Sequence, residues 1–127
     1  MFIDVVGIPA PQGSKKSIGN NRFVETSKKL PAWRKAVKEA AVAAKGNKET
    51  LTGPIYLEVM FFLPRPKTVG RSLPTVAPDL SKLVRAVEDS LTDAGIWTDD
   101  SYVVECLSAK FYADDREPGC TLKVTVL

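Results

Sequence analysis

Three acidic residues stand out by position: Asp79, directly after Pro78, and the pair Asp99-Asp100, which follows Gly95-Ile96-Trp97-Thr98. Between them lie Lys82, Arg85, Glu88 and Asp89. Clustered carboxylates bind hard divalent cations through oxygen. A bound cation activates water and stabilises a leaving oxygen, and a neighbouring Lys or Arg offsets charge developing on phosphate. Phosphodiester cleavage dependent on Mg²⁺ needs that combination. The same residues also admit a purely structural role, with Asp79 as a helix N-cap, Asp99 and Asp100 as a turn, and Arg85 and Glu88 as a solvated face. Composition narrows the chemistry, because the 127-residue chain contains no histidine. Serine-histidine and cysteine-histidine hydrolysis, histidine-metal nucleases and the usual His/Cys zinc sites are thereby excluded. A restriction-type pattern, in which Pro-Asp is followed on a later strand by acid-x-Lys, fails as well. Lys110 is preceded two positions earlier by Ser108, and Lys123 by Thr121.

These residues need elements to hold them. Leu80, Leu83, Val84, Val87 and Leu91 recur at offsets i, i+3, i+4, i+7 and i+11, which predicts a helix with one core-facing stripe, started by Pro78-Asp79 and stopped by Gly95. At 100° per residue, Lys82, Arg85 and Asp89 share one flank of that helix. Spacing leaves open whether the following loop folds back far enough to bring Asp99 and Asp100 to Asp79. A first helix begins near Pro31, with Leu30, Trp33, Val37, Ala40 and Ala44 on one face, Arg34, Lys35 and Lys38 off it, and Gly46 at its end. Strands are expected at Phe2 to Val6, Tyr102 to Tyr112 and Cys120 to Val126, and a basic hairpin at Lys15 to Ile18 and Arg22 to Glu25 around Gly19-Asn20-Asn21. Ile55 to Leu63 alternates with apolar residues on both faces, as a central strand does. Residues 64–78 hold four prolines with Arg65, Lys67 and Arg71, a long basic loop of the kind that is usually functional or mobile. The pattern describes one domain over residues 1–127, α/β in the α+β sense, with a mixed sheet and two main helices.

The net charge of +3 hides an asymmetry. Residues 1–50 hold ten Lys/Arg against four acids, whereas residues 79–127 hold five against ten. Such a chain suits a basic surface that holds a polyanion beside an acidic pocket that holds cations. Lys15, Lys16, Lys28, Lys29, Arg65, Lys67 and Arg71 fall in predicted loops or hairpin and are the candidate phosphate contacts, with salt-dependent affinity expected. Two cysteines, Cys106 and Cys120, and no targeting sequence or apolar run of membrane-spanning length predict a reduced, cytoplasmic protein with no membrane contact. Both cysteines are expected to be small buried hydrophobes, and Trp33 and Trp97 core anchors.

The segment Pro78-Asp79-Leu80-Ser81-Lys82-Leu83-Val84-Arg85-Ala86-Val87-Glu88-Asp89, closing with Gly95-Ile96-Trp97-Thr98-Asp99-Asp100-Ser101, resembles the signature of the RusA family of Holliday junction resolvases, mostly phage and prophage enzymes. Gly7-Ile8-Pro9-Ala10-Pro11-Gln12-Gly13-Ser14-Lys15 resembles the start of many members. The resemblance implies a homodimer of small mixed α/β subunits that binds four-way DNA junctions and cuts two strands symmetrically with Mg²⁺ or Mn²⁺. It implies catalytic roles for Asp79 and Asp100, with Arg85 standing where the family has an essential lysine; Lys82, beside Ser81, reads as part of a coherent local variant of the motif and is a further catalytic candidate. Asp79, Asp99 and Asp100 are then the expected metal ligands. Ser81 stands where the family has a further essential aspartate, so the site is about one negative charge short. Either Asp99, Asp89 or Glu88 makes good the missing ligand and the enzyme cleaves, or the protein binds junctions and cleaves weakly or not at all.

Overall fold

Ile55, Leu57, Val59, Phe61 and Leu63 all point to one side of a nine-residue strand and are almost completely buried, and the fold is built outward from them. The computed structural model describes residues 1–13, 15–19, 22–25 and 28–127, with 15–19 and 22–25 described by backbone alone. In chain order the elements are β1 (Phe2–Val6), β2 (Lys15–Gly19), β3 (Arg22–Glu25), α1 (Leu30–Lys45), β4 (Ile55–Leu63), α2 (Leu80–Asp93), a short 3-10 helix (Asp100–Tyr102), β5 (Val103–Tyr112) and β6 (Gly119–Val126). The main sheet has the order β1-β6-β4-β5, and β2 pairs with β3 in a separate antiparallel hairpin. The turn Asn20-Asn21 expected between them lies outside the described residues.

The sheet is mixed: β6 runs antiparallel to both β1 and β4, whereas β4 and β5 run parallel. Parallel neighbours require a crossover, and α2 supplies it. Helices α1 and α2 bury Leu30, Trp33, Val37 and Ala41, and Leu83, Ala86, Val87 and Leu91, against the buried side of β4. The buried stripe on α1 is Leu30, Trp33, Val37 and Ala41, centred near Val37, and Ala40 and Ala44, expected on that stripe, are only partly buried. Trp33 and Trp97 are core residues, as their size and neighbours suggest. The other face of β4, formed by Tyr56, Glu58, Met60 and Phe62, is half-buried. Gly119 in β6 packs so tightly against the Val5 carbonyl that a Cβ has no room there.

Candidate active site

The crossover fixes where the acidic residues can go. With β4 and β5 parallel, α2 must return antiparallel to both, so its first turn stands at the carboxyl ends of these strands and its last turn near the start of β5. Asp79 occupies the N-cap position with extended backbone, yet its carboxylate makes no capping hydrogen bond. The expectation that it serves as an N-cap therefore holds for its backbone and not for its side chain. That side chain is 66% exposed, with Lys82 Nζ 3.8 Å from Oδ2. The backbone leading to it is held from β5, because Lys110 Nζ donates to the carbonyls of Val76 at 2.7 Å and Pro78 at 2.8 Å, on either side of the cis Ala77–Pro78 peptide. On the other side the amide of Gln12 donates to the Lys82 carbonyl at 3.0 Å, seating the Gly7–Gly13 loop against the first turn.

The opposite end is acidic. After α2 the chain turns at Gly95, whose φ of 76° favours glycine, and Trp97 Nε1 donates to Thr92 Oγ1 at 2.7 Å. Asp99 Oδ1 then accepts the Ser101 amide at 2.8 Å to start the 3-10 helix, and that bond holds its carboxyl below the usual carboxylate range. Asp100 lines an open depression with Asp89, Asp93, Thr98 and Arg34. Arg34 bonds Asp93 at 2.6 Å and joins α1 to α2. Glu88 is half-buried; burial raises its pKa most, the negative charges of Asp100 and Asp89 raise it further, and Arg85 opposes them. Asp100, Asp89 and Arg85 thus all act on Glu88.

The loop folds back only as far as the last turns of the helix. Glu88 is nine residues after Asp79, about 13 Å of helical rise. Within one chain, Asp100 joins Glu88 and Asp89 while Asp79 stays at the far end with Lys82 and Lys110. Among the described residues, no three His, Cys, Asp or Glu side chains converge closely enough to enclose a metal ion. The donors at the Asp100 end are hard carboxylate oxygens, the type that suits Mg²⁺ or Mn²⁺. Ser81 and Lys82 are both exposed in the first turn, remote from that group.

The basic loop differs from expectation in one respect. Arg65, a candidate phosphate contact, points its guanidinium inward: Nε and Nη2 donate to Asp114 at 2.7 and 2.9 Å, and Nη1 donates to the carbonyls of Val69 and Arg71. It also lies 4.2 Å over the Tyr112 ring. The pairing holds the Asp114 carboxyl below its ordinary range. Arg65 is therefore the clamp of residues 64–78, because intramolecular acceptors already satisfy the donors a phosphate would use. Arg71 donates to the Tyr112 hydroxyl at 2.8 Å but remains exposed, as do Lys28, Lys29 and Lys67. The side chains of Lys15 and Lys16 lie outside the described residues. Cys120 is buried as expected, but Cys106 is exposed, because β5 is an edge strand. Sequence reasoning missed Lys110 and Gln12 as neighbours of Asp79; the only available signal was the acid-free Ser108-x-Lys110 pattern.

A cationic surface ahead of an acidic helix face is the layout of a protein that handles a polyanion. The family model described as endodeoxyribonuclease RusA matches residues 7–125, and the chain belongs to that family. It is also 33% identical, over a 126-residue alignment covering 87% of each chain, to the uncharacterized protein YqaN of Bacillus subtilis (strain 168). No helix among the described residues is long and apolar enough to cross a membrane.

Proposed function

We propose that this protein is a cytoplasmic, Mg²⁺- or Mn²⁺-dependent endodeoxyribonuclease that resolves four-way DNA junctions by paired symmetric nicks. The observation that supports the metal assignment is that Asp89 and Asp100 line one open depression, with the half-buried Glu88 close enough for their charges to act on it. Hard carboxylate oxygens of this kind suit a divalent cation. Asp100 is the principal ligand, and Glu88 takes the place of the carboxylate lost at Ser81. Asp99 is the weaker choice of ligand, since its carboxylate already starts the 3-10 helix. The cation supplies activation of water and charge stabilisation. Arg85 offsets charge on the phosphate, and Asp79 with Lys82 lies at the other end of the same DNA-facing helix flank.

A homodimer supplies two such sites to a two-fold symmetric junction. The half-buried face of β4, extended by the exposed Phe2, Val6 and Leu107 on neighbouring strands, is the surface that favours a second copy. Lys28, Lys29, Lys67 and Arg71 are the phosphate contacts to test, together with Lys15 and Lys16. Incubation of the purified protein with a labelled four-way junction and Mg²⁺ or Mn²⁺ tests the reading: symmetric nicks are expected, and their absence with both metals sinks it. Light scattering checks the dimer. A junction-binding protein that cleaves weakly or not at all is the second reading, favoured by Ser81 and by the lack of a closed three-carboxylate group among the described residues.

A further inference from the structure

A cavity of about 510 Å³ opens directly beside Pro78, the residue before Asp79, and none of the residues discussed above as ligands or catalytic groups lines it. One wall is the amino-terminal loop, with Ile8 and Pro11, and the other is the clamped basic loop, with Pro74 and Val76. Leu63 and Tyr112, the last residues of β4 and β5, form the floor. Lys28, Lys29 and Arg71 stand among the lining residues, which among the described residues include no Asp or Glu. An apolar, proline-walled cavity with cations at its edge is complementary to one flat heterocycle carrying a phosphate. Its volume lies within the roughly 300–1,000 Å³ of small-molecule sites. Its walls are held: Arg65 fastens the basic loop to Asp114, Lys110 fastens the carbonyls of Val76 and Pro78, and Gln12 fastens the amino-terminal loop to α2.

We infer that this cavity receives a single unstacked nucleobase of the DNA strand, with an adjoining phosphate on Lys28, Lys29 and Arg71. The inference rests on the junction-cleaving reading above, and it adds to it a place where the nucleotide preference of the cut is set. A duplex hides its bases, and extrusion is easiest where stacking is already interrupted, as at the exchange point of a four-way junction. Arg65 lies over one face of the Tyr112 ring, and the walls that flank the base are prolyl and aliphatic. The surfaces that discriminate one base from another are those of Ile8, Pro74 and Val76.

Four-way junctions carrying one 2-aminopurine at successive positions beside the crossover test this in EDTA, where the strands stay intact. The wild-type protein is expected to raise the fluorescence about threefold or more at one position. Val76→Trp and Ile8→Trp fill the cavity from opposite walls, and each is expected to abolish that rise while junction affinity by anisotropy changes less than about threefold. With the junction bound, as anisotropy reports, a rise at no position or one that survives both fillings overturns the inference. Titration with each of the four deoxynucleoside monophosphates against 2-deoxyribose 5-phosphate separates the two readings. Shifts of the Ile8 and Val76 methyl resonances with a nucleotide alone support the cavity even where junction binding fails, and equal shifts with the sugar phosphate overturn it.

Discussion

At the amino end of α2 one exposed carboxylate, Asp79, faces Lys82 and a backbone pinned by Lys110, whereas in the carboxyl half the charges of Asp100, Asp89 and Arg85 act on the half-buried Glu88. Negative charge at a helix amino terminus is favoured by the helix dipole, and negative charge toward its carboxyl end is disfavoured. Asp79 thus sits where a helix favours negative charge, and Glu88, half-buried with Asp100 and Asp89 acting on it, does not. Local comfort and chemical potential point in opposite directions here. The comparison supports placing the cation at the Asp100 end and a positional role, backed by neighbouring cations, at the Asp79 end.

Removing a ligand should have the largest effect. Asp100→Asn is expected to lower junction cleavage by about a thousandfold or more while leaving junction binding in EDTA unchanged, as nicking and anisotropy assays would report. Equal losses of cleavage and binding would mean that Asp100 is structural. At the other end, Lys110→Met is expected to cost about 10- to 100-fold in cleavage, because it frees the backbone that carries Asp79. Lys110→Arg should restore part of that loss, and junction affinity should hardly move. If Lys110→Met is as active as wild type, the amino end of α2 needs no pinning and the contrast between the two ends collapses to one site.

The loop beside Asp79 offers a milder test. Arg65→Ala and Asp114→Asn are each expected to lower the melting temperature by a few degrees at neutral pH. The folded Asp114 carboxyl titrates below its unfolded value of about 3.9, so its contribution is present above that pH and is lost as pH falls through the depressed value. The melting difference between wild type and Asp114→Asn should therefore be constant from pH 8 to about 5 and shrink in stronger acid. The smallest effect concerns the thiols. Cys106 is expected to react with a thiol reagent in the folded protein, slowly, since partial desolvation and Glu88 raise its pKa. Cys120, buried and pushed much higher, should react only on unfolding.

Much of the fold was legible in one dimension. The alternation of β4 and the stripe on α2 come from local periodicity, which follows from the geometry of the elements themselves; β4 is found at its expected bounds, whereas the buried face of α2 is turned toward Ala86 and Ser90 and leaves Leu80 and Val84 partly buried. The boundaries of β1 coincide with the run Phe2 to Val6. The candidate site was legible as a set of residues and not as an arrangement. Asp79, Asp99 and Asp100 read as one constellation, but parallel pairing of β4 with β5 sets the direction of α2 and separates Asp79 from the other two. Arg65 read as a cation for phosphate because nothing local distinguishes it from Lys67; its partners Asp114 and Tyr112 are some 49 and 47 positions away.

The sequence by itself determined which chemistries were open. The lack of histidine, the segregation of basic from acidic residues and the motif around Asp79 depend only on residue identity and short spacing. Tertiary structure decided which charges meet. Long-range pairing set Lys110 against the backbone before Asp79, turned Arg65 inward, and gathered Glu88, Asp89 and Asp100 at one end of α2. The physical reason is that electrostatic and hydrogen-bond energies depend on distance in space, and a crossover between parallel strands fixes those distances through pairings that no short stretch of chain encodes.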